Sequence, residues 1–268
     1  MSKGWRFLGN EREYVDEVLT SGFGASESGS MNERLEKKFA DLHKKKFAIS
    51  ANSGTSTLHM ALNAFGVRPG DEVIIPALTV AMPGFAVWQC GAIPVFADVL
   101  EDTFLMNPDD VRKKINSKTK AIMPVHMYGN MCNMDSIMKL ANEHKLFVLE
   151  DCAESLYASN DKDQKAGTIG HVGSWSFENS KHLSTGDGGI VATNDEELAT
   201  KMRQFGGVGF KNITAKTGKV RISRDQFQDP KYERHNMFAY NYRLPELCAA
   251  IGLAQSERLR YFVELREL

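Results

Sequence analysis

The sequence has no pair of cysteines close enough to build a metal knuckle. Its four cysteines, Cys90, Cys132, Cys152 and Cys248, stand far apart and form no CxxC, which excludes a zinc knuckle and a disulfide framework. No apolar run approaches the roughly 20 residues needed to cross a bilayer. The first residues, MSKGWRFLGNERE, lack the apolar centre of a secretory signal. An excess of one charge is missing too. With 33 Lys and Arg against 34 Asp and Glu, a formal net charge of -1, nothing singles out nucleic acid or a membrane surface as a partner. The expected location is cytoplasmic. No repeat or low-complexity segment is visible. His126, in VHMYG, has no companion at ligand spacing and there is no HExxH, so it reads as a packed or ring-stacking histidine and no metal is expected.

What is present is an ordinary globular composition. The 268 residues are 42% hydrophobic and 25% charged, enough for one large α/β domain or two small ones. Residues 1–45 read as a helical segment: Glu11 to Thr20, a glycine- and serine-rich loop SGFGASESGS that serves either as a lid or as a linker, then Met31 to His43. The following Lys44-Lys45-Lys46 reads as a solvated helix end.

From Phe47 the pattern becomes strand, turn, helix, repeated. Short β-rich runs fall at 47–49, 73–75, 93–96, 121–125 and 147–149, with helices expected at 55–65, 80–90, 109–115 and 135–144. Runs that are apolar throughout predict a mostly parallel central sheet covered by helices on both faces. Ligands of such sheets collect beyond the carboxyl ends of the strands. The polar residues there are Ser53-Gly54-Thr55, Asp98, His126, Asp151 and Ser176. A further helix is expected at 195–204, then an irregular basic stretch over 206–237, then an amphipathic helix from Leu247 to about Leu265.

The stretch HVGSWSFENSKHLSTGDGG, His171 to Gly189, is the expected seat of the chemistry. A strand over 172–177 breaks into a polar turn carrying Lys181, and a glycine-rich hairpin leads to a second strand at 190–192. A lysine between two buried strands loses solvent, which lowers its pKa and frees its amine as a nucleophile. Ser176 can face a bound anion from the same strand end. Ser53-Gly54-Thr55-Ser56-Thr57, between a strand and a helix, suits a phosphate, although such residues are also ordinary helix caps. It is not a nucleotide P-loop, because no Gly-Lys-Ser/Thr follows. Asp151 ends its strand either as a cap or as the partner of a cationic ring nitrogen.

In this order the pieces SGTSTL, GDEVIIPALT, GAIPVFADV, KAIMPVHMYG, EDCAES, SFENSKHLSTGDGG and NYRLPELCAAIGLAQ make the chain resemble the DegT/DnrJ/EryC1/StrS family of pyridoxal-phosphate-dependent sugar aminotransferases, from about Glu11 to the last residue. The resemblance implies a fold-type-I large domain at 46–240, with 206–237 as a basic insertion. It makes 241–268 the start of a helix leading towards a small C-terminal domain, which the chain is expected to lack. It implies pyridoxal 5'-phosphate as cofactor. Lys181 would join covalently to it, be displaced by the amino donor and then carry the proton; Asp151 would keep the pyridine nitrogen protonated. Gly54, Thr55 and Ser176 would hold the phosphate, Ala153 would lie against the ring, and Glu154 would take the place near the ring hydroxyl where the family has glutamine or histidine. Asn241 would reach the phosphate from the second subunit of a homodimer, with Arg243 assisting.

The family carries an aromatic residue where this chain has Val80, so the ring stack is absent or comes from elsewhere, for example from His126. The implied reaction is amino transfer, from a donor such as glutamate to a keto-sugar, most often nucleotide-linked, in amino-sugar or surface-polysaccharide biosynthesis. Lys211, Lys216, Lys219, Arg221, Arg224 and Arg234 are either substrate contacts or solvated cations, and His182 joins Arg243 and Arg234 as a substrate candidate. Two alternatives stand beside it. Dehydrating relatives carry histidine in place of the lysine, which makes His182 worth locating. A non-catalytic or regulatory relic would keep the pocket and lose the chemistry.

Overall fold

Among the described residues six of seven short strands are buried on both faces, which explains their continuous apolar runs; the strand at residues 93–97 leaves Ile93 and Phe96 exposed. The computed structural model describes residues 6–24, 29–218 and 222–267. Residues 25–28 of the glycine/serine loop, with Lys219 and Arg221, lie outside them. Among the described residues the chain runs α1 (Glu11–Thr20), α2 (Met31–Leu42), β1 (Phe47–Ala51), α3 (Gly54–Ala64), β2 (Glu72–Pro76), α4 (Met82–Gln89) and β3 (Ile93–Ala97). It continues with α5 (Pro108–Lys114), β4 (Thr119–Ile122), α6 (Met134–His144), β5 (Phe147–Asp151), β6 (Val172–Ser176), β7 (Gly189–Thr193) and α7 (Glu196–Gly206). Last come α8 (Arg224–Gln228), α9 (Glu246–Ser256) and α10 (Leu259–Glu267).

The strands form one sheet in the order β1-β7-β6-β5-β4-β2-β3. Pairing is parallel from β6 to β3, while β7 runs antiparallel to both β6 and β1. The sheet is thus mostly parallel, of the fold type I expected. Alternation sends Val73 and Ile75 of β2 and Leu149 of β5 to one side, where α3 and α7 supply Leu58, Leu62, Leu198 and Met202. Ile74, Ile122 and Val148 face the other side under α6. Further along that side, Ala48, Trp175 and Ile190 meet α2 and α9 through Leu35, Phe39 and Leu253. Each of the large side chains sealed there contributes roughly 1.5–3 kcal/mol by leaving water.

Helix starts follow local chemistry. Ser30 and Glu33 close a capping box on α2, Ser53 caps α3, and Asp195 accepts from two amides of α7.

Three boundaries differ from expectation. The helix expected at Val80 begins at Met82, with a proline in its first turn, so Val80 sits in the preceding loop. The irregular 206–237 stretch holds the short helix α8. The helix expected over 247–265 is two helices, broken at Glu257-Arg258. There Glu257 accepts from Tyr14 (2.7 Å) and Asn10 (3.1 Å), and Arg258 turns to an ion pair with Glu11. Contacts to α1, not a proline or glycine, make the break.

Candidate active site

The carboxyl ends of β1, β5 and β6 form one rim, and the chain leaves each with a polar residue. After β1, Ser53 Oγ accepts from the Ser56 amide at 3.1 Å and starts α3. The amides of Gly54 and Thr55 have no carbonyl within the helix to take them and point outward at its positive end. Thr57 Oγ1 donates to Gly54 O at 2.6 Å and lies 2.8 Å from Ser174 Oγ, tying α3 to β6. A Cβ at Gly54 would stand 2.8 Å from Ser176 Cβ, and one at Gly189 2.8 Å from Gly54 N. Helix start, strand end and hairpin end therefore touch backbone to backbone, leaving a cradle of amides and the Ser176 hydroxyl. That donor set fits a phosphate group.

Two acids end β5 and leave on opposite faces. Glu150, fully buried, accepts from the amides of Gly167 (2.9 Å), Ile169 (2.7 Å) and Gly170 (2.5 Å) and from His126 Nε2 (3.0 Å). Burial alone would raise its pKa; His126 and the amides outweigh that and hold it below the usual carboxylate range. His126 Nδ1 accepts from the Cys132 amide at 3.1 Å, which leaves Nε2 to donate to Glu150. The ring is wholly buried. His126 is thus a packed residue and cannot supply the stack that Val80 lacks. Val80 itself is 42% exposed, in the loop before α4.

Asp151, on the other face, is 2% exposed and accepts from the Ala153 amide at 3.0 Å. Burial pushes its carboxyl up to about 6, although that amide and the positive charge of nearby Lys181 pull it down. A buried carboxylate with one partner and spare acceptor capacity suits a cationic ring nitrogen.

Lys181 follows β6 in a turn fixed by its own residues. Its amide donates to Glu178 O at 3.0 Å, and the Glu178 carboxylate accepts from Ser180 N (2.8 Å) and Oγ (2.5 Å). The ammonium, 18% exposed, is ion-paired with Glu154. The expected bare lysine is therefore a paired one. His182 is half-buried; burial first, then Arg266, lowers its pKa to about 4, so a neutral imidazole stands beside the ammonium.

Gly54, Thr55, Ser176, Asp151, Ala153, Glu154, Lys181 and His182 thus share one end of the sheet. The remaining candidates sit on other segments. Asn241 bridges to Gly207, between Tyr240 and Tyr242, whose rings stack at 5.2 Å. Asn241 and Arg243 line a cavity of about 450 Å³ with Glu36, Ser50 and Arg203, and Tyr242 O between them accepts from the Asn52 amide at 2.8 Å. Arg234 is spent in its own loop, donating to Phe227 O at 2.5 Å and lying 4.1 Å from the Phe227 ring centroid. Sequence reasoning missed the Glu150–His126 brace; the signal available was two adjacent acids on a strand that alternates faces.

A family model described as the DegT/DnrJ/EryC1/StrS aminotransferase family matches residues 8–268. The chain belongs to that family. GDP-perosamine synthase from Vibrio cholerae is 39% identical over 259 residues, which are 96% of this chain and 65% of that protein. Among solved structures, an aminotransferase from Psychrobacter cryohalolentis is similar with a TM-score of 0.79 and 36% identity, over 92% of this chain and 61% of that one. An E. coli GDP-4-keto-6-deoxy-D-mannose-3-dehydratase with bound hydrated PLP is similar with a TM-score of 0.85 and 27% identity, over all of this chain and 69% of that one. This member of the DegT/DnrJ/EryC1/StrS family therefore spans less than two thirds of the first two.

Proposed function

We propose that this chain carries the cofactor-binding part of a pyridoxal-phosphate-dependent sugar aminotransferase. It moves an amino group from an amino-acid donor such as glutamate to a nucleotide-linked keto-sugar. The observation that carries the reading is the meeting of the Lys181 amine and the buried Asp151 carboxyl at one rim, beside the Gly54–Ser176 cradle. The residues present fit the cofactor. The amides of Gly54 and Thr55 and the Ser176 hydroxyl would hold its phosphate, and Asp151 would hold the ring nitrogen in its protonated form. Ala153 would pack against the ring. When bound, the cofactor supplies an electron sink for the carbanion that amino transfer passes through.

The protein's own share is binding and proton handling. Lys181 Nζ supplies the primary amine that anchors the cofactor and, once displaced, takes a proton from one carbon and returns it to another. Glu154 Oε1 holds that amine when it is free. Asn241 and Arg243 would complete the phosphate site of a second copy in a homodimer. The relatives named for GDP-perosamine support a GDP-linked keto-sugar as the acceptor.

The likeness to a dehydratase favours a second reading, loss of water from the same class of sugar. The presence of Lys181, where dehydrating relatives carry histidine, favours transfer. His182 is its sequence neighbour, not its replacement.

The test is a visible spectrum of the full chain with pyridoxal phosphate, before and after glutamate, followed by borohydride reduction and peptide mapping. The expected result is a yellow species that bleaches with glutamate and a reduced adduct on Lys181. A GDP-linked 4-keto-sugar then restores the colour. No adduct on Lys181 overturns the reading. An adduct unmoved by any amino donor leaves a binding relic in its place.

A further inference from the structure

Two guanidinium groups that the reading above does not use converge on the backbone of Lys181. Arg6, before α1, donates through Nη1 to Asn179 O and through Nη2 to Lys181 O, both at 2.6 Å. Arg266, in the last turn of α10, donates through Nη2 to Ser180 O at 2.6 Å and to Lys181 O at 3.2 Å. Three successive carbonyls are thus taken by two planar cations, and Lys181 O is shared. Asn179 and Ser180 are exposed, so without the arginines water would take these carbonyls and the turn would be free to open.

The elements that deliver the arginines are fastened to each other. Arg258, at the start of α10, donates to Arg6 O at 2.8 Å and is ion-paired with Glu11. It lies so close to the segment before α1 that a Cβ at Gly9 would stand 2.6 Å from its Nε. Glu257 ties the same junction to Tyr14 and Asn10 of the opposite segment. The break between α9 and α10 therefore aims α10, and with it Arg266, at the lysine turn.

We propose that Arg6 and Arg266 are positioning residues that hold the Lys181 turn by its carbonyls, so that the amine always returns to the cofactor from one direction. The proposal rests on Lys181 being the cofactor lysine. An amine that is displaced and must return in every cycle is sensitive to such support, since a misplacement of about 1 Å costs on the order of a hundredfold in rate. A guanidinium suits the task, because its rigid fork reaches two acceptors at once, whereas an ammonium is a single point of charge. After burial, both cations also lower the pKa of His182.

The variants are Arg6→Gln, Arg266→Gln and Arg266→Lys, with Arg260→Gln, an exposed arginine paired with Glu264 on the same helix, as control. Amide hydrogen exchange of the cofactor-free full chain is followed over residues 178–185. The pH midpoint of the visible band of the chain loaded with pyridoxal phosphate is measured beside it. The expected result is exchange faster by on the order of tenfold in R6Q and R266Q. It is confined to that peptide, with a midpoint moved upward by the loss of a neighbouring cation. R266K keeps the midpoint and part of the protection, and R260Q matches the unmodified chain. Unchanged exchange and midpoint in R6Q and R266Q, with the adduct still on Lys181, overturn the clamp alone. Absence of the adduct from the unmodified chain overturns the functional reading beneath it.

Discussion

Glu150 and Asp151 are neighbours in sequence with opposite environments, because successive side chains of β5 leave opposite faces of the sheet. Glu150 is consumed by His126 and three amides, and only Asp151 keeps acceptor capacity for a ligand. Gly54 makes a comparable division on the anion side, where a single methyl group would occupy the space between α3 and Ser176. Gly54→Ala is expected to weaken pyridoxal phosphate binding by about tenfold or more, since overpacking costs roughly 1–3 kcal/mol at a site that cannot yield. Cofactor titration followed at the visible band checks this. An unchanged affinity would mean that the cradle does not hold the phosphate.

At the level of elements, β5 shows how structure and chemistry share a strand. Removing the Glu150 carboxylate leaves the amides of Gly167, Ile169 and Gly170 and the His126 N–H without that acceptor. Glu150→Ala is expected to lower stability by about 3–5 kcal/mol. That corresponds to a fall in Tm of order 10 °C, read by calorimetry. The alternation of strands and helices was legible because every strand but the edge strand β3 is buried on both faces and so reads as a continuous apolar run. The rim residues were legible because they are the polar residues that end those runs. The break at Glu257-Arg258 was not, since its causes, Tyr14, Asn10 and Glu11, lie more than 240 residues away in sequence. The pairing of Lys181 with Glu154 was hidden for the same reason: local sequence says that a lysine is enclosed, not which carboxylate turns towards it.

Over the whole molecule, buried titratable groups set an opposed pH dependence. Burial lowers the His43 pKa to about 4, from 6.5. Its contribution is therefore complete above pH 6.5 and is lost as pH falls towards 4, on the order of 3 kcal/mol in all. His59 is lowered to about 4 by burial as well and acts in the same direction. Asp151, raised to about 6 from 3.8, works the other way: its ionised form destabilises the cofactor-free fold above pH 6 and not below pH 4. Urea unfolding from pH 4 to 8 is expected to show stability rising with pH, with a shallower rise in His43→Phe. Asp151→Asn is expected to be more stable than the unmodified chain at pH 8 and equal to it at pH 4. A stability that instead declines from pH 4 to 6.5 would contradict the lowered pKa values of His43 and His59.

Strand β1 has one neighbour in the sheet, β7, and the pair joins Phe47 to Thr193. On a ribosome the earlier strand must wait for the later one, about 7–30 s at ordinary elongation rates of roughly 5–20 residues per second. Throughout that interval the edge of β1 is open to other chains. The amides of α3 that follow β1 gain their backing only when Gly189 arrives against Gly54. The helix-start half of the anion cradle, at Gly54 and Thr55, thus waits for Ser176 and Gly189 until most of the chain has been made, and a chain interrupted before β7 has no complete phosphate site to offer.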